Sequence, residues 1–254
     1  TSGGDCQALN ATMRGVVKGL TNNVDELEVY GFDDGYKGLI YGKYRMLTSK
    51  DFSGILTQGG TILGTSRQPF KLMRVPDENG LDKVEAMKQT YYKLCLDCLV
   101  ILGGNGTQKT ANLLREEGLN IIHLPKTIDN DIGITDHTPG YGSAARYIAR
   151  TTAEIGADVK SLPIHVCILE AMGRNAGWIT AASALARKKH GDAPHLIYLP
   201  ERPFREEEFL ADVKELYDRL GGVVVVASEG LKDESGKPVV PPIFQTGRSV
   251  YYGD

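Results

Sequence analysis

The segment CLVILGGNGT (residues 98–107) decides the fold class. Its first half is a short, continuously apolar run, which is typical of a β-strand buried on both faces of a parallel sheet. The glycines that follow indicate a tight loop, and the spacing of Ala111 and Leu114 predicts a helix over residues 108–117 that Gly118 can stop. A strand, a glycine-rich loop and a helix in this order form the first half of a β-α-β unit.

The same alternation of strand and helix continues along the chain and predicts an α/β protein with parallel sheets covered by helices. The predicted strands cover residues 27–32, 98–102, 120–124, 164–169, 195–199 and 223–227. The predicted helices begin near residue 10 and at residues 108, 141, 176 and 205. Ligands in such folds bind beyond the carboxyl ends of the strands, so the loops after the strands are the candidate functional sites.

Composition narrows the class of protein further. The 254 residues are 41% hydrophobic and 24% charged, which is ordinary for a globular chain of one large domain or two lobes. A net charge of −3 gives no basic field that would hold nucleic acid. Because no apolar run reaches the ~18 residues of a membrane span and no signal peptide is visible, we expect no membrane partner and a cytoplasmic location.

Three glycine-rich loops are candidate phosphate sites: residues 2–5 (SGGD), 59–67 (GGTILGTSR) and 103–107 (GGNGT). Glycines let backbone N–H groups approach a phosphate, and the N-terminus of a following helix adds partial positive charge. Arg67 adds a fixed cation. Each loop alone is equally compatible with an ordinary turn, but three in one chain favour phosphate binding. The loops match neither the P-loop nor the G-x-G-x-x-G dinucleotide pattern.

The segment PKTIDND (residues 125–131) follows a predicted strand and carries two carboxylates. If its backbone is extended, Asp129 and Asp131 project to the same side. One carboxylate could then accept the proton of an attacking hydroxyl while the other holds Mg²⁺. The alternative is a turn in which these side chains cap backbone N–H groups.

The segment EAMGRNAG (residues 170–177) also follows a predicted strand. Gly173 and Gly177 frame Arg174 at the start of a helix, which suits a phosphate. The alternative is that Arg174 is a solvated charge at a helix end and that Met172 is plain core.

The ordered set TSGGD, GGTILGTSR, GGNGT, PKTIDND and EAMGRNAG resembles the phosphofructokinase family almost from end to end. The resemblance implies an α/β fold of two Rossmann-like lobes with mainly parallel sheets and an active site in the cleft between them. It implies a phosphoryl-donor lobe at residues 1–136 and a fructose 6-phosphate lobe at 137–254. The implied activity is Mg²⁺-dependent transfer from ATP to the 1-hydroxyl of fructose 6-phosphate, a glycolytic step, in a homotetramer.

The resemblance also assigns roles to residues. Asp129 is implied as the base, Asp131 and Asn105 as the metal site, and Arg67 and Thr127 as catalytic groups beside the transferred phosphoryl. The implied donor-binding residues are Gly3, Arg67, Gln68, Gly104, Asn105, Gly106 and Thr107. The implied sugar-phosphate ligands are Thr127, Asp129, His165, Met172, Gly173, Arg174 and Glu229.

Departures from the family pattern keep alternatives open. Asn105 stands where most members carry a metal-binding Asp, and His165 where many present an Arg across a subunit interface. Gly106 leaves room for the α-phosphate of ATP, whereas Lys126 is common in diphosphate users; we favour ATP and keep diphosphate as the alternative donor. Because the chain lacks an initial Met and stops before later family segments, we expect truncation at both ends.

Two other classes of protein share parts of this pattern. A lipid or NAD kinase shares a similar glycine loop, but residues 127–131 and 172–174 argue against that class. A non-catalytic, sugar-phosphate-binding regulatory subunit is suggested by Asn105 and by the missing C-terminal segment. The presence of Asp129, Asp131 and Arg67 argues against it.

Overall fold

The computed structural model describes residues 1–4 and 7–240 and confirms the α/β class. The chain forms two compact units, of which the first covers Thr1–Thr127 and the second begins at Ile128. This boundary lies earlier than the one predicted after residue 136. Among the described residues, no helix is long and apolar enough to cross a membrane.

The first unit is built around a parallel pair of strands. Strand β3 pairs with β4 in the register Leu99↔Ile121 to Gly103↔Pro125, so both strands end at the same edge. The loops that follow Gly103 and Pro125 therefore leave side by side. The elements of this unit in chain order are α1 (Leu9–Asn23), β1 (Val29–Phe32), α2 (Tyr36–Tyr41), β2 (Tyr44–Leu47), a 3₁₀ turn (Phe70–Leu72), α3 (Lys83–Lys93), β3 (Leu99–Gly103), α4 (Asn105–Glu116) and β4 (Ile121–Pro125).

Helix α4 follows β3 in the predicted order, but it begins at Asn105, before the predicted start at residue 108. Gly104, between the two elements, has an extended backbone with φ −88°. The inner face of α4 buries Ala111, Leu113 and Leu114 in the larger core of this unit. The sequence pattern missed β2, which pairs antiparallel with β1. Most residues of β2 are exposed, so its burial pattern lacks the alternation that marks a half-buried strand.

The second unit contains a parallel sheet in the order β5-β7-β6. Its central strand carries four consecutive valines, Val223–Val226, which are fully buried because β5 and β6 flank the strand and helices pack against the sheet. The elements in chain order are α5 (Tyr141–Ser161), β5 (Val166–Ala171), α6 (Trp178–Ala182), a 3₁₀ turn (Ser183–Ala186), β6 (Leu196–Tyr198), α7 (Glu206–Leu220) and β7 (Val223–Ser228).

The predicted helix over residues 176–189 is wrong in length, since α6 ends at Ala182 and continues only as a 3₁₀ turn. The hydroxyl of Ser183 donates to the carbonyl of Thr180 at 2.6 Å. Such a bond competes with the backbone hydrogen bonds of an α-helix and favours the tighter 3₁₀ geometry. Arg187 then adopts an extended conformation that ends the helix.

Candidate functional site

The glycine-rich loops of the first unit meet at the carboxyl end of β3. Ser2 N donates to Leu102 O at 3.0 Å, and Gly3 N donates to Ser66 O at 3.2 Å. The hydroxyl of Thr65 donates back to Gly3 O at 2.5 Å. Residues 1–4 therefore lie between the end of β3 and the loop that carries Arg67, so the structure brings together the three loops that the sequence identified.

Gly103 is required by the close approach of these loops. A Cβ there would overlap Ser2 O and lie 2.5 Å from the hydroxyl of Thr107. Thr107 is buried, and its hydroxyl donates to Ser2 O at 3.0 Å. Its carbonyl accepts from the Tyr36 hydroxyl at 2.8 Å, and burial raises the pKa of that phenol. What Thr107 can offer a phosphate is thus the backbone N–H of the first helical turn.

Asn105 and Gly106 form the exposed start of α4. Apart from its chain neighbours and the backbone of its own helix, no described atom lies within 4 Å of a Cβ built on Gly106. The first N–H groups of a helix have no partner within the helix and carry partial positive charge. This end of α4 can accept an anion, and space is open at the position predicted to decide the donor.

Lys126 and Arg67 are two cations that lie beside these loops. Lys126 is buried, its ammonium donates to Gly4 O at 2.7 Å, and its N–H donates to Gly103 O at 3.0 Å. Arg67 is exposed, and its Nη2 would lie 3.2 Å from a Cβ on Gly4. Gln68, the next residue, is half-buried. Gly3, Gly4 and both cations therefore share one loop cluster.

The segment after β4 is not extended, so the premise that placed Asp129 and Asp131 on one side is wrong. Asn130 between them has a left-handed backbone with φ 59°. Its side chain accepts from Thr138 N at 2.9 Å and donates to Asp136 O at 3.1 Å. Asn tolerates this conformation because its short amide bonds locally to the backbone. Asp129 is half-buried and Asp131 is exposed.

Residues predicted to bind the sugar phosphate meet at the carboxyl ends of β5 and β7. Gly173, with φ 117°, donates from its N–H to Glu229 Oε1 at 3.1 Å. The hydroxyl of Ser228 donates to Gly173 O at 2.8 Å, and Glu229 N donates to Ala171 O at 2.9 Å. Met172 is 38% exposed, and Arg174 follows in the same loop. The four predicted residues 172, 173, 174 and 229 are thus brought together.

His165 does not join this cluster within the chain. It precedes β5, whose length places it about 20 Å from the loop at the other end of the strand. Its Nδ1 lies 2.9 Å from the Tyr217 hydroxyl, and the two rings pack edge to face at 5.4 Å. A role for His165 toward the sugar phosphate therefore requires a second copy of the chain.

Asp131 and Asn105, the two residues predicted to bind Mg²⁺, both have exposed side chains. Among residues 1–4 and 7–240, no group of three or more His, Cys, Asp or Glu side chains could hold a metal. Mg²⁺ usually keeps several waters and binds through one or two carboxylates together with substrate phosphates. Each of these side chains carries an oxygen of the kind that such binding uses.

Sequence reasoning missed two polar side chains of the second unit, Ser228 and Glu201. The carboxylate of Glu201 accepts from Gly177 N at 2.7 Å. Both residues lie at or just beyond the carboxyl end of a strand, where ligand loops are expected. That position was the available signal, but neither residue belongs to a recognisable motif.

Comparison with known proteins gives one family. The family model described as "Phosphofructokinase" matches residues 1–250. The chain is 47% identical over 211 residues to the ATP-dependent 6-phosphofructokinase of Spirochaeta thermophila, and the matched region covers 80% of the chain and 55% of that relative. It is 37% identical over 252 residues to the pyrophosphate–fructose 6-phosphate 1-phosphotransferase of Rhodospirillum rubrum, covering 96% of the chain and 60% of that relative.

Solved structures agree with this match. A pyrophosphate-dependent phosphofructokinase from Marinobacter aquaeolei superposes with a TM-score of 0.74 at 32% identity, covering 92% of the chain and 60% of that structure. Phosphofructokinase from Saccharomyces cerevisiae gives a TM-score of 0.77 at 27% identity, covering 94% and 34%. The chain thus spans less than two thirds of the length of these relatives. By the extent of the family match and of these relationships, the chain belongs to the phosphofructokinase family.

Proposed function

We propose that the protein transfers a phosphoryl group from ATP to the 1-hydroxyl of fructose 6-phosphate, a step of glycolysis. The observation that carries the proposal is the convergence of Gly3, Arg67 and the start of α4 at the end of β3. This convergence concentrates backbone N–H groups, a helix N-terminus and a guanidinium where a polyphosphate would bind. The family to which the chain belongs supplies the substrate class.

The proposed reaction is an in-line displacement at phosphorus. The oxygen of the sugar 1-hydroxyl forms a bond to the γ-phosphorus, its proton passes to the carboxylate of Asp129, and the bond to the bridging oxygen breaks to release ADP. Arg67 and the hydroxyl of Thr127 orient the transferred group and neutralise its charge. Positioning and electrostatics carry most of the barrier reduction, because this transfer needs little covalent assistance.

Asp131 and Asn105 would hold the Mg²⁺ of this site. When bound, the ion supplies charge neutralisation at the donor phosphates. Asp131 contributes the carboxylate oxygen of this set, and Asn105 contributes an amide oxygen without charge.

ATP is favoured as the donor because Gly106 leaves open space at the first turn of α4. A donor with an additional phosphate and a nucleoside needs that space. Diphosphate is the second candidate, since Lys126 has its ammonium in the donor loop cluster and relatives of both kinds are similar to this chain.

The donor lobe is proposed at residues 1–136, which include the whole first compact unit, and the fructose 6-phosphate lobe at residues 137–254. In the second lobe Glu229 binds a sugar hydroxyl, and Met172, Gly173 and Arg174 meet the sugar phosphate. We further propose a cytoplasmic homotetramer. Such an assembly would let His165 reach the sugar phosphate of a neighbouring copy.

The test is a coupled assay of fructose 1,6-bisphosphate formation by the full chain. The assay supplies fructose 6-phosphate, Mg²⁺ and either ATP or diphosphate. Turnover with ATP and none with diphosphate is expected, and the reverse result would assign the diphosphate-dependent activity. Binding of fructose 6-phosphate without turnover on either donor would contradict the proposed enzymatic activity. It would favour a non-catalytic, sugar-phosphate-binding regulatory subunit.

A further inference from the structure

The loop of residues 172–177, which joins β5 to α6, is held by a glutamate at each end. Near its start, Gly173 N donates to Glu229 Oε1 at 3.1 Å. At its end, Gly177 N donates to Glu201 Oε1 at 2.7 Å. Arg174 lies between these two anchors.

The two anchors come from different strands of the sheet. Glu229 follows β7, which is adjacent to β5, whereas Glu201 follows β6, which is one strand further away. Neighbouring strands lie about 4.8 Å apart, so the loop extends about 10 Å across the carboxyl end of β7. The hydrogen bond to Glu201 fixes the far end of that crossing.

Packing leaves this loop little freedom to shift. A Cβ on Gly177 would lie 2.9 Å from both Leu199 and Pro200, and a Cβ on Gly230 would overlap the carbonyl oxygen of Arg174. The backbone at Arg174 thus rests directly on Gly230. A displacement at Gly177 must therefore be taken up in the short stretch that contains Arg174.

We infer that Glu201 is a positioning residue for sugar-phosphate binding, acting through Gly177 on the placement of Arg174. The inference rests on the proposed function, because it takes fructose 6-phosphate as the ligand of this loop. Glu201 is exposed, so its main contribution is the charge-assisted hydrogen bond that orients the loop.

The chain offers its own reporter of this loop. It contains a single tryptophan, Trp178, which is adjacent to Gly177 and 54% exposed. The fluorescence emission of Trp178 should change when fructose 6-phosphate binds. Isothermal titration calorimetry gives the Kd for fructose 6-phosphate in the absence of a phosphoryl donor, so no turnover is needed.

Four variants separate positioning from other effects. Glu201→Ala should raise the Kd and KM for fructose 6-phosphate about tenfold, the value expected for a charge-assisted hydrogen bond, and leave KM for ATP unchanged. Glu201→Gln keeps an acceptor oxygen and should restore most of the affinity. Glu207→Ala removes an exposed glutamate at the start of α7 and should match the wild type. Arg174→Ala gives the effect of losing the positioned cation itself.

The possible results distinguish failure of the inference from failure of the proposed function. A wild-type Kd in Glu201→Ala would overturn the inference, as would equal rises in both KM values accompanied by a fall in Tm, which mark a general structural role. If the wild-type chain shows neither calorimetric binding of fructose 6-phosphate nor turnover, the proposed function fails and the inference fails with it. Wild-type binding combined with an unaffected Glu201→Ala variant rejects the inference alone.

Discussion

The buried ammonium of Lys126 donates a hydrogen bond to the carbonyl oxygen of Gly4 at 2.7 Å. The N–H of the same residue donates to Gly103 O at 3.0 Å. One residue at the end of β4 therefore contacts two of the glycine loops. Lys126 therefore helps to fix the relative position of these two loops, which are the proposed donor site.

We expect Lys126→Met to raise KM for ATP about tenfold, because the loop at Gly4 loses a charge-assisted hydrogen bond. KM for fructose 6-phosphate should stay constant. Lys109→Met, at an exposed position of α4, is the matched control. Steady-state kinetics with each substrate varied in turn decide the matter, and an unchanged KM for ATP would show that the bond does not shape the donor site.

Gly106→Asp should abolish activity with ATP without harming the fold. A side chain there meets no described atom within 4 Å, and an acidic residue in the first helical turn is favourable. The lost activity would arise from repulsion of the α-phosphate. Gly142→Asp places the same change at the equivalent position of α5, where the surroundings are equally open. Comparable Tm values with activity lost only at position 106 are expected, and ATP turnover by Gly106→Asp would refute the argument from repulsion.

Asp129→Asn should lower kcat at least ~10²-fold with little change in KM for fructose 6-phosphate, because a general base acts in the transition state. Asp136→Asn makes the same change at an exposed nearby residue and should be nearly silent. Near-normal turnover in Asp129→Asn would remove this carboxylate from the role of base.

Asn105→Asp should lower the concentration of free Mg²⁺ needed for half-maximal rate, because a carboxylate attracts the cation more than an amide does. Asp131→Asn should lower activity unusually strongly, because it replaces the carboxylate of the proposed metal site by an amide. A carboxylate in the first turn of α4 also stabilises the helix by ~0.3–1 kcal/mol without any metal. Tm measured in EDTA isolates that effect, and superimposable Mg²⁺ titrations of the two Asn105 forms would show that this position does not sense the metal.

The sequence predicts the parts of the fold that depend on burial. The valines 223–226 read as part of a strand and form one, and α4 follows β3 as its pattern indicates. The pattern could not show that Asn130 turns left-handed, because Asn is compatible with both extended and left-handed backbone. It also missed Glu201, because its contact with Gly177 joins residues 24 positions apart and depends on the order of strands in the sheet.

The crossing of residues 172–177 over the end of β7 restricts how this site could change in evolution. Gly173, Gly177 and Gly230 are fixed by close contacts with neighbouring atoms and leave no room for variation. Met172 and Asn175 have exposed side chains on the same loop. Under the proposed function, acceptance of a different phosphorylated sugar would therefore arise first by substitution at these two positions, with the backbone of the loop unchanged.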